Sequence, residues 1–310
     1  MTTVLRSVED AARRCPRAVI AAGNFDGVHR GHGAIIEQAI DRSRALRAPC
    51  MVVTFDPHPQ LVVGRKPSLP ILTPTSRKLA LLSRYEIDAV LVIPFTDEFA
   101  RIEAESFVKA TYADALDIRE IIVGYSHNFG RHGRGDRLLL ERLSARYGFA
   151  VQVVQPIQME GSSVNSSHIR ALLSAGEIQA AERLLGHAYV IAGTVVRGDG
   201  RGRQLRFPTA NVAAHDPHAL IPKRGVYAVR VHLDDKAMNG VMNIGTRPTF
   251  GESREHCEVH ILDFDGDLYN RTIEVEFVER IRDEKRFPSV EALKDQITKD
   301  VHTTYNMLKA

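Results

Sequence analysis

Two histidines, His29 and His32, close the string Gly23-Asn24-Phe25-Asp26-Gly27-Val28-His29-Arg30-Gly31-His32. An apolar run precedes this string and an amphipathic pattern follows it, so the pair falls where a strand turns into a helix. A helix N-terminus offers unpaired N–H groups and partial positive charge, and glycine lets the backbone approach a ligand closely. Imidazoles placed there can donate to phosphate oxygens as charge builds during attack at phosphorus. A glycine-rich turn with two surface histidines is the plainer reading of the same residues. A metal pair is less well supported, because no carboxylate or cysteine set accompanies the histidines.

A second cluster is Val164-Asn165-Ser166-Ser167-His168-Ile169-Arg170. Ser166 or Ser167 can cap a helix, and Arg170 then falls one turn beyond Ser166 on the same face. Two hydroxyls, free N–H groups and a guanidinium would form another phosphate cradle. An ordinary serine cap beside a solvated arginine looks the same in isolation; the histidine string in the same half of the chain favours the functional reading.

The third cluster runs from Gly193 to Asn211. It holds Gly198, Gly200 and Gly202 among Arg197, Arg201 and Arg203, and ends in Arg206-Phe207-Pro208-Thr209-Ala210-Asn211. This is no Walker loop, lacking Gly-Lys-Ser/Thr, and no Rossmann turn, because Pro208 stands where a long helix would continue. Backbone N–H groups and guanidinium forks can still wrap a polyphosphate. Thr209 and Asn211 put two neutral oxygens on one side of an extended segment, which together with phosphate suits Mg2+. Phosphoryl transfer to an alcohol also needs a base, and Glu258 is a carboxylate inside an expected strand. An exposed alternating position is its structural reading.

The elements that must position these groups differ between the two halves. In the first, the short Val- and Ile-rich runs 18–23, 50–55, 88–93, 120–124 and 150–155 read as strands buried on both faces. Helical patterns separate them: 31–46, a helix capped by Thr73 with Pro74 at its first position, then 107–116 and 136–147. Such alternation implies a mainly parallel sheet with ligands at the carboxyl ends of its strands. In the second half, 189–196, 225–233, 238–244, 257–263 and 272–279 alternate with period two between turns rich in Gly, Asp, Asn and Pro. Many short strands without long helices suggest a small barrel or sandwich, closed by a helix from about Val290. The expected division is an α/β domain over 1–186 and an all-β domain over 187–310.

Composition agrees with two domains. The chain has 310 residues, 44% hydrophobic and 25% charged, which is ample for two buried cores and excludes intrinsic disorder. No apolar run approaches the roughly 20 residues of a membrane span, and the first residues lack the apolar core of a secretory signal. Three separated cysteines, Cys15, Cys50 and Cys257, form no Cys-x-x-Cys pair and fit a reduced, cytoplasmic setting. A formal charge of +3 and the absence of tryptophan give little footing for nucleic acid, so none is expected as a partner.

The histidine string and the Ser166–Arg170 helix start, in this order, resemble the nucleotidylyltransferase superfamily. With Thr54-Phe55-Asp56-Pro57-His58-Pro59 and Ile71-Leu72-Thr73, the first half looks like the FMN adenylyltransferase module of the bacterial bifunctional riboflavin kinase/FAD synthetase family. The Gly193–Asn211 cluster, Asn243–Glu252, Glu258–Phe264 and Asp267–Tyr269 look like its riboflavin kinase module. The resemblance implies a Rossmann-like nucleotidylyltransferase domain followed by a riboflavin kinase-like barrel. It implies riboflavin, FMN, FAD and ATP as ligands, Mg2+ as cofactor, and a monomer or transient homo-oligomer. It makes Glu258, His29 and His32 catalytic, and Asn24, Asp26, Gly31, Ser166, Ser167, Arg170, Gly198, Gly202, Thr209 and Asn211 nucleotide-binding. Thr209 and Asn211 also become the Mg2+ ligands, and Asn243, Thr246, Phe250 and Phe129 border the flavins.

Four residues at three places depart from the family pattern. Ser126-His127 replace an Asn/Asp-Phe pair, Asn165 replaces a serine, and Arg206 takes the place of a glycine. The first raises the alternative of a riboflavin kinase with an altered adenylyltransferase module. The arginine-rich segments 131–137 and 197–206 raise another, a flavin-sensing or RNA-binding regulator. If the position of Arg206 demands a positive φ, its backbone is strained.

Overall fold

A computed structural model describes residues 2–64, 69–198, 202, 205–249 and 252–308. By contacts the chain divides into two compact units, Met1–Ser166 and Ser167–Ala310.

The first unit is built on β1 (Thr3–Leu5), β2 (Val19–Ala22), β3 (Cys50–Asp56), β4 (Ala89–Pro94), β5 (Glu120–Gly124) and β6 (Ala150–Val154). These six pair in the order β1-β4-β3-β2-β5-β6, every pair parallel, and a short antiparallel pair, β7 (Gln158–Met159) and β8 (Ser162–Ser163), follows β6. β2 is buried throughout, which is why its sequence, Val-Ile-Ala-Ala, shows no alternation. Among the helices, α1 (Val8–Arg14), α2 (Arg30–Leu46), α3 (Pro59–Val62) and α4 (Thr75–Leu82) come before β4 in the chain. Two short turns follow it, α5 (Asp97–Ala100) and α6 (Ala104–Phe107), and α7 (Arg137–Tyr147) lies between β5 and β6. Because β2 leads to β3 on one side and has β5 on the other, the strand order reverses between β2 and β5. A crevice at such a switch point is where parallel α/β sheets bind ligands.

Three local expectations change. Residues 108–115 continue α6 as a π-helix, which a 3.6-residue period does not reveal. β1 is too short to stand out. Thr73 does not cap a helix: α4 begins at Thr75 without a side-chain cap, and the Thr73 hydroxyl is used elsewhere.

The second unit carries α8 (Ser166–Ala175, beginning one residue before it), α9 (Ile178–Leu185), β9 (Tyr189–Val196), β10 (Ala210–Ala214), β11 (Gly225–Leu233), β12 (Lys236–Thr249), β13 (Glu252–Ile261), β14 (Thr272–Arg282) and α10 (Val290–Leu308). The strands close a barrel in the order β10-β13-β12-β11-β14-β9, which settles the choice between barrel and sandwich. α9 packs on β9 and β14, and the backbone N–H of Lys223 donates to the Leu173 carbonyl. α10 lies on β11 and β12, its Val301 and Tyr305 packing beside buried Val226, Val241 and Leu262. Arg282 clamps Asp300 with three contacts of 2.7–3.1 Å, and Asp300 is only 2% exposed.

Candidate active sites

The turn after β2 lies beside the switch point, and its backbone is strained. Phe25 (φ 51°), Gly27 (φ 92°) and Val28 (φ 38°) all occupy the left-handed region, which a β-branched residue enters only under constraint. Two of the constraints come from Asp26. Its buried carboxylate accepts from the backbone N–H groups of Leu72 (3.0 Å) and Thr73 (2.9 Å), while the Thr73 hydroxyl accepts from Gly27 N–H (2.8 Å). The Asp26 carbonyl takes the Ser166 hydroxyl at 2.9 Å. Asp26 therefore anchors the turn through both its carboxylate and its carbonyl.

Sequence reasoning missed Lys78. It lies on the buried face of α4 with Leu81 and Leu82, and its ammonium donates to the Asn24 carbonyl (3.3 Å), the Thr54 hydroxyl (3.2 Å) and the Phe55 carbonyl (3.1 Å). Burial lowers its pKa, while Asp26 and Asp56 work the other way. The signal was available: a lysine three and four residues before two core leucines sits on their face.

His29 caps α2, its Nδ1 accepting from His32 N–H at 3.2 Å. An accepting Nδ1 leaves the ring proton on Nε2, so a neutral His29 donates from that atom alone. The two rings stack at 3.6 Å, and Phe25 meets His32 edge-on at 5.2 Å. Burial, then His29 and Lys78, hold His32 well below the ordinary histidine range, so it is neutral near pH 7. Gly31 sits in a tight space: a Cβ there would stand 3.2 Å from the His29 ring and 3.3 Å from the Val164 carbonyl. Asn24 is exposed on the same turn; Ser167 is exposed and Arg170 half-buried, both in the opening turns of α8.

After β5, the segment 125–136 folds back on itself, Phe129 and Gly135 exchanging backbone hydrogen bonds of 3.0 and 2.9 Å. The Phe129 ring is buried 6.5 Å from Phe107, as part of the core. His127 stacks on it at 5.7 Å, and burial pushes its pKa down to about 4. The imidazole is thus a neutral aromatic ring where the family pattern has phenylalanine. Phe55, Phe95 and Phe99 continue this aromatic row at the carboxyl ends of β3 and β4, with ring separations of 5.4–5.9 Å. Sequence reading picked only Phe129 from the row. Of the basic residues here, Arg131 pairs with Glu103 at 3.2 Å, and Arg137 lies over the exposed Tyr125 ring.

In the barrel, register brings together what the sequence kept far apart. Asn211 on β10 stands directly opposite Glu258 on β13, and Glu258 stands opposite Asn243 on β12. Partners in a ladder share a face, so the three form one row. The opposite face carries Met242, Ile244, Cys257 and Val259, all buried. Thr246 alternates onto that other face, away from the row, and Phe250 lies outside the described residues. Gly198 and Gly202 fit closely against the expected ligands. A Cβ at Gly198 would stand 2.6 Å from the Asn211 amide carbon, and one at Gly202 3.0 Å from the Thr209 hydroxyl. Arg206 has φ 66°, so the suspected strain is real. Among the described residues no group of three or more His, Cys, Asp or Glu is placed to hold a metal ion.

Known proteins agree with both halves. The FAD synthetase family matches residues 12–168 and the riboflavin kinase family residues 185–308. A bifunctional riboflavin kinase/FMN adenylyltransferase of Pseudomonas fluorescens is 39% identical over 284 residues, 91% of this chain and 90% of that protein. Its Bacillus subtilis namesake is 34% identical over 289 residues, 92% of this chain and 90% of that protein. A crystal structure described as a macrolide-efflux protein from Streptococcus pneumoniae superposes with a TM-score of 0.86 at 29% identity, covering 98% of this chain and 99% of that one. Among the described residues, no helix here is long and apolar enough to cross a membrane. With both family matches in order along one chain and relatives aligned over nine-tenths of their length, this chain belongs to the bifunctional riboflavin kinase/FMN adenylyltransferase family.

Proposed function

We propose that the chain phosphorylates riboflavin to FMN in its barrel and adenylates FMN to FAD in its parallel-sheet unit, with 1–186 and 187–310 as the functional modules. The row Asn211–Glu258–Asn243 carries this reading. In the kinase step the terminal ribityl hydroxyl attacks the γ-phosphorus of ATP, Glu258 accepts its proton, and ADP leaves as the bridging P–O bond breaks. Asn243 would orient the flavin side chain from the same face. Thr209 and Asn211 would hold Mg2+ arriving with ATP, and their neutral oxygens fit an ion whose charge the phosphates already balance. Bound there, Mg2+ would neutralise charge on the transferred phosphoryl group.

In the adenylyl step an FMN phosphate oxygen attacks the α-phosphorus of a second ATP and pyrophosphate leaves. His29 and His32 would donate to the developing charge, with Asn24, Gly31, Ser167 and Arg170 around the other phosphates. The aromatic row suits a flat flavin ring. Three buried free thiols support a cytoplasmic setting, and a monomer or transient homo-oligomer is the assembly we propose. The test is Glu258→Gln. Riboflavin phosphorylation should fall by roughly 10²–10⁴-fold, while supplied FMN is still converted to FAD and pyrophosphate. Retained phosphorylation, or loss of both activities together, would defeat the assignment.

A further inference from the structure

Glu258 does not stand alone on its face of the barrel. Two residues earlier in β13, His256 projects to the same side, and its Nε2 lies 2.6 Å from Glu258 Oε1. Both side chains are partly enclosed, His256 at 23% and Glu258 at 27% exposure, so water competes only weakly for the contact. On the strand opposite, His256 pairs in register with Gly245. A Cβ at Gly245 would run into the Glu284 carboxylate and come within 3.3 Å of the Asn243 amide. Gly245 therefore leaves room for the Glu284 carboxylate beside Asn243, on the face that carries His256 and Glu258.

From this geometry we infer that His256 is a positioning residue for phosphorylation, fixing the Glu258 carboxylate through Nε2–H to Oε1 so that the base faces the Asn211–Asn243 row. The inference rests on Glu258 being the base. A glutamate side chain has several rotamers, and a general base works only within hydrogen-bond reach of the proton it removes. A donor anchored on the same strand, two residues away, restricts that sampling without touching substrate. No proton needs to pass to His256: the substrate proton ends on Glu258, and His256 keeps its own.

The test compares His256→Ala and His256→Gln in the full chain, measuring riboflavin phosphorylation with MgATP and, on the same preparations, FMN adenylation. Glutamine places an amide N–H near where Nε2 stands; alanine removes the donor. For His256→Ala, kcat for phosphorylation should fall about ten-fold with KM for riboflavin and MgATP within two-fold of the parent. His256→Gln should recover kcat to within about three-fold, and adenylation should be unchanged in both. Parental kcat in His256→Ala, a loss confined to KM, or a His256→Gln enzyme as slow as His256→Ala would overturn the inference. Glu258→Gln separates the two claims. If it keeps phosphorylation, the base assignment fails; if it loses phosphorylation while His256→Ala does not, only the positioning role fails.

Discussion

Replacing His127 with phenylalanine should stabilise the first unit, and more so in acid. The ring stacks on Phe129, its Nε2 is buried without a hydrogen-bond partner, and its pKa is pushed down to about 4 by burial. In the unfolded chain the same imidazole titrates near 6.5. As pH falls from 6.5 towards 4 the unfolded state takes up a proton that the folded state refuses, so folding is progressively penalised. Below pH 4 both states are protonated and the penalty stops growing. At pH 5 the gap amounts to about 1.5 pH units, or about 2 kcal/mol. Phenylalanine has no proton to take up. It also removes the unpaired nitrogen, worth about 1 kcal/mol at any pH. For a unit of this size, about 1 kcal/mol moves the melting temperature by roughly 2–4 °C. Calorimetry of the full chain should therefore show the first unit of His127→Phe melting a few degrees higher at pH 7.5, with the difference widening by roughly 4–8 °C at pH 5. His32 is also depressed, but it is common to both proteins and cancels. A difference independent of pH would refute the reasoning.

Two further perturbations probe the barrel unit. Arg206→Gly should relieve a left-handed backbone at about 1 kcal/mol, part of it returned as unfolded-chain entropy. The variant should melt no lower than the parent, and a clear loss in thermal unfolding would mean that the arginine side chain holds the loop. Asp300→Ala leaves Arg282 without its buried carboxylate and should cost about 3–5 kcal/mol. Urea unfolding of the second unit should show this directly, and a change below about 1 kcal/mol would mean that α10 docks through Val301 and Tyr305 alone.

Local chemistry was readable in the sequence; pairings across long stretches of chain were not. The Val- and Ile-rich runs marked the parallel strands because burial on both faces leaves little choice of residue. Val290 was placed correctly as the start of the last helix. The Asn211–Glu258–Asn243 row could not be read, since it depends on the register of three strands, and only a resemblance brought its members together. Thr73 differs from its expected role for a related reason. Its hydroxyl would serve in a local cap, and it accepts instead from Gly27, 46 residues away. Lys78 escaped notice because a lysine on a helix is ordinarily solvated, although its spacing from Leu81 and Leu82 put it on the apolar face.

The anchoring of Asp26 bears on how the protein reaches its working state. Its carboxylate bonds across 46 residues to Leu72, and its carbonyl accepts from Ser166 across 140. Both bonds join segments that the pairing of the sheet strands brings together. Contacts of such long sequence separation come at the end of a slow search. The strained turn at residues 25–28 is imposed from outside. The turn that carries His29 and His32 thus takes its shape from residues far along the chain, so a change at Thr73 or Ser166 would reach the histidines without touching them.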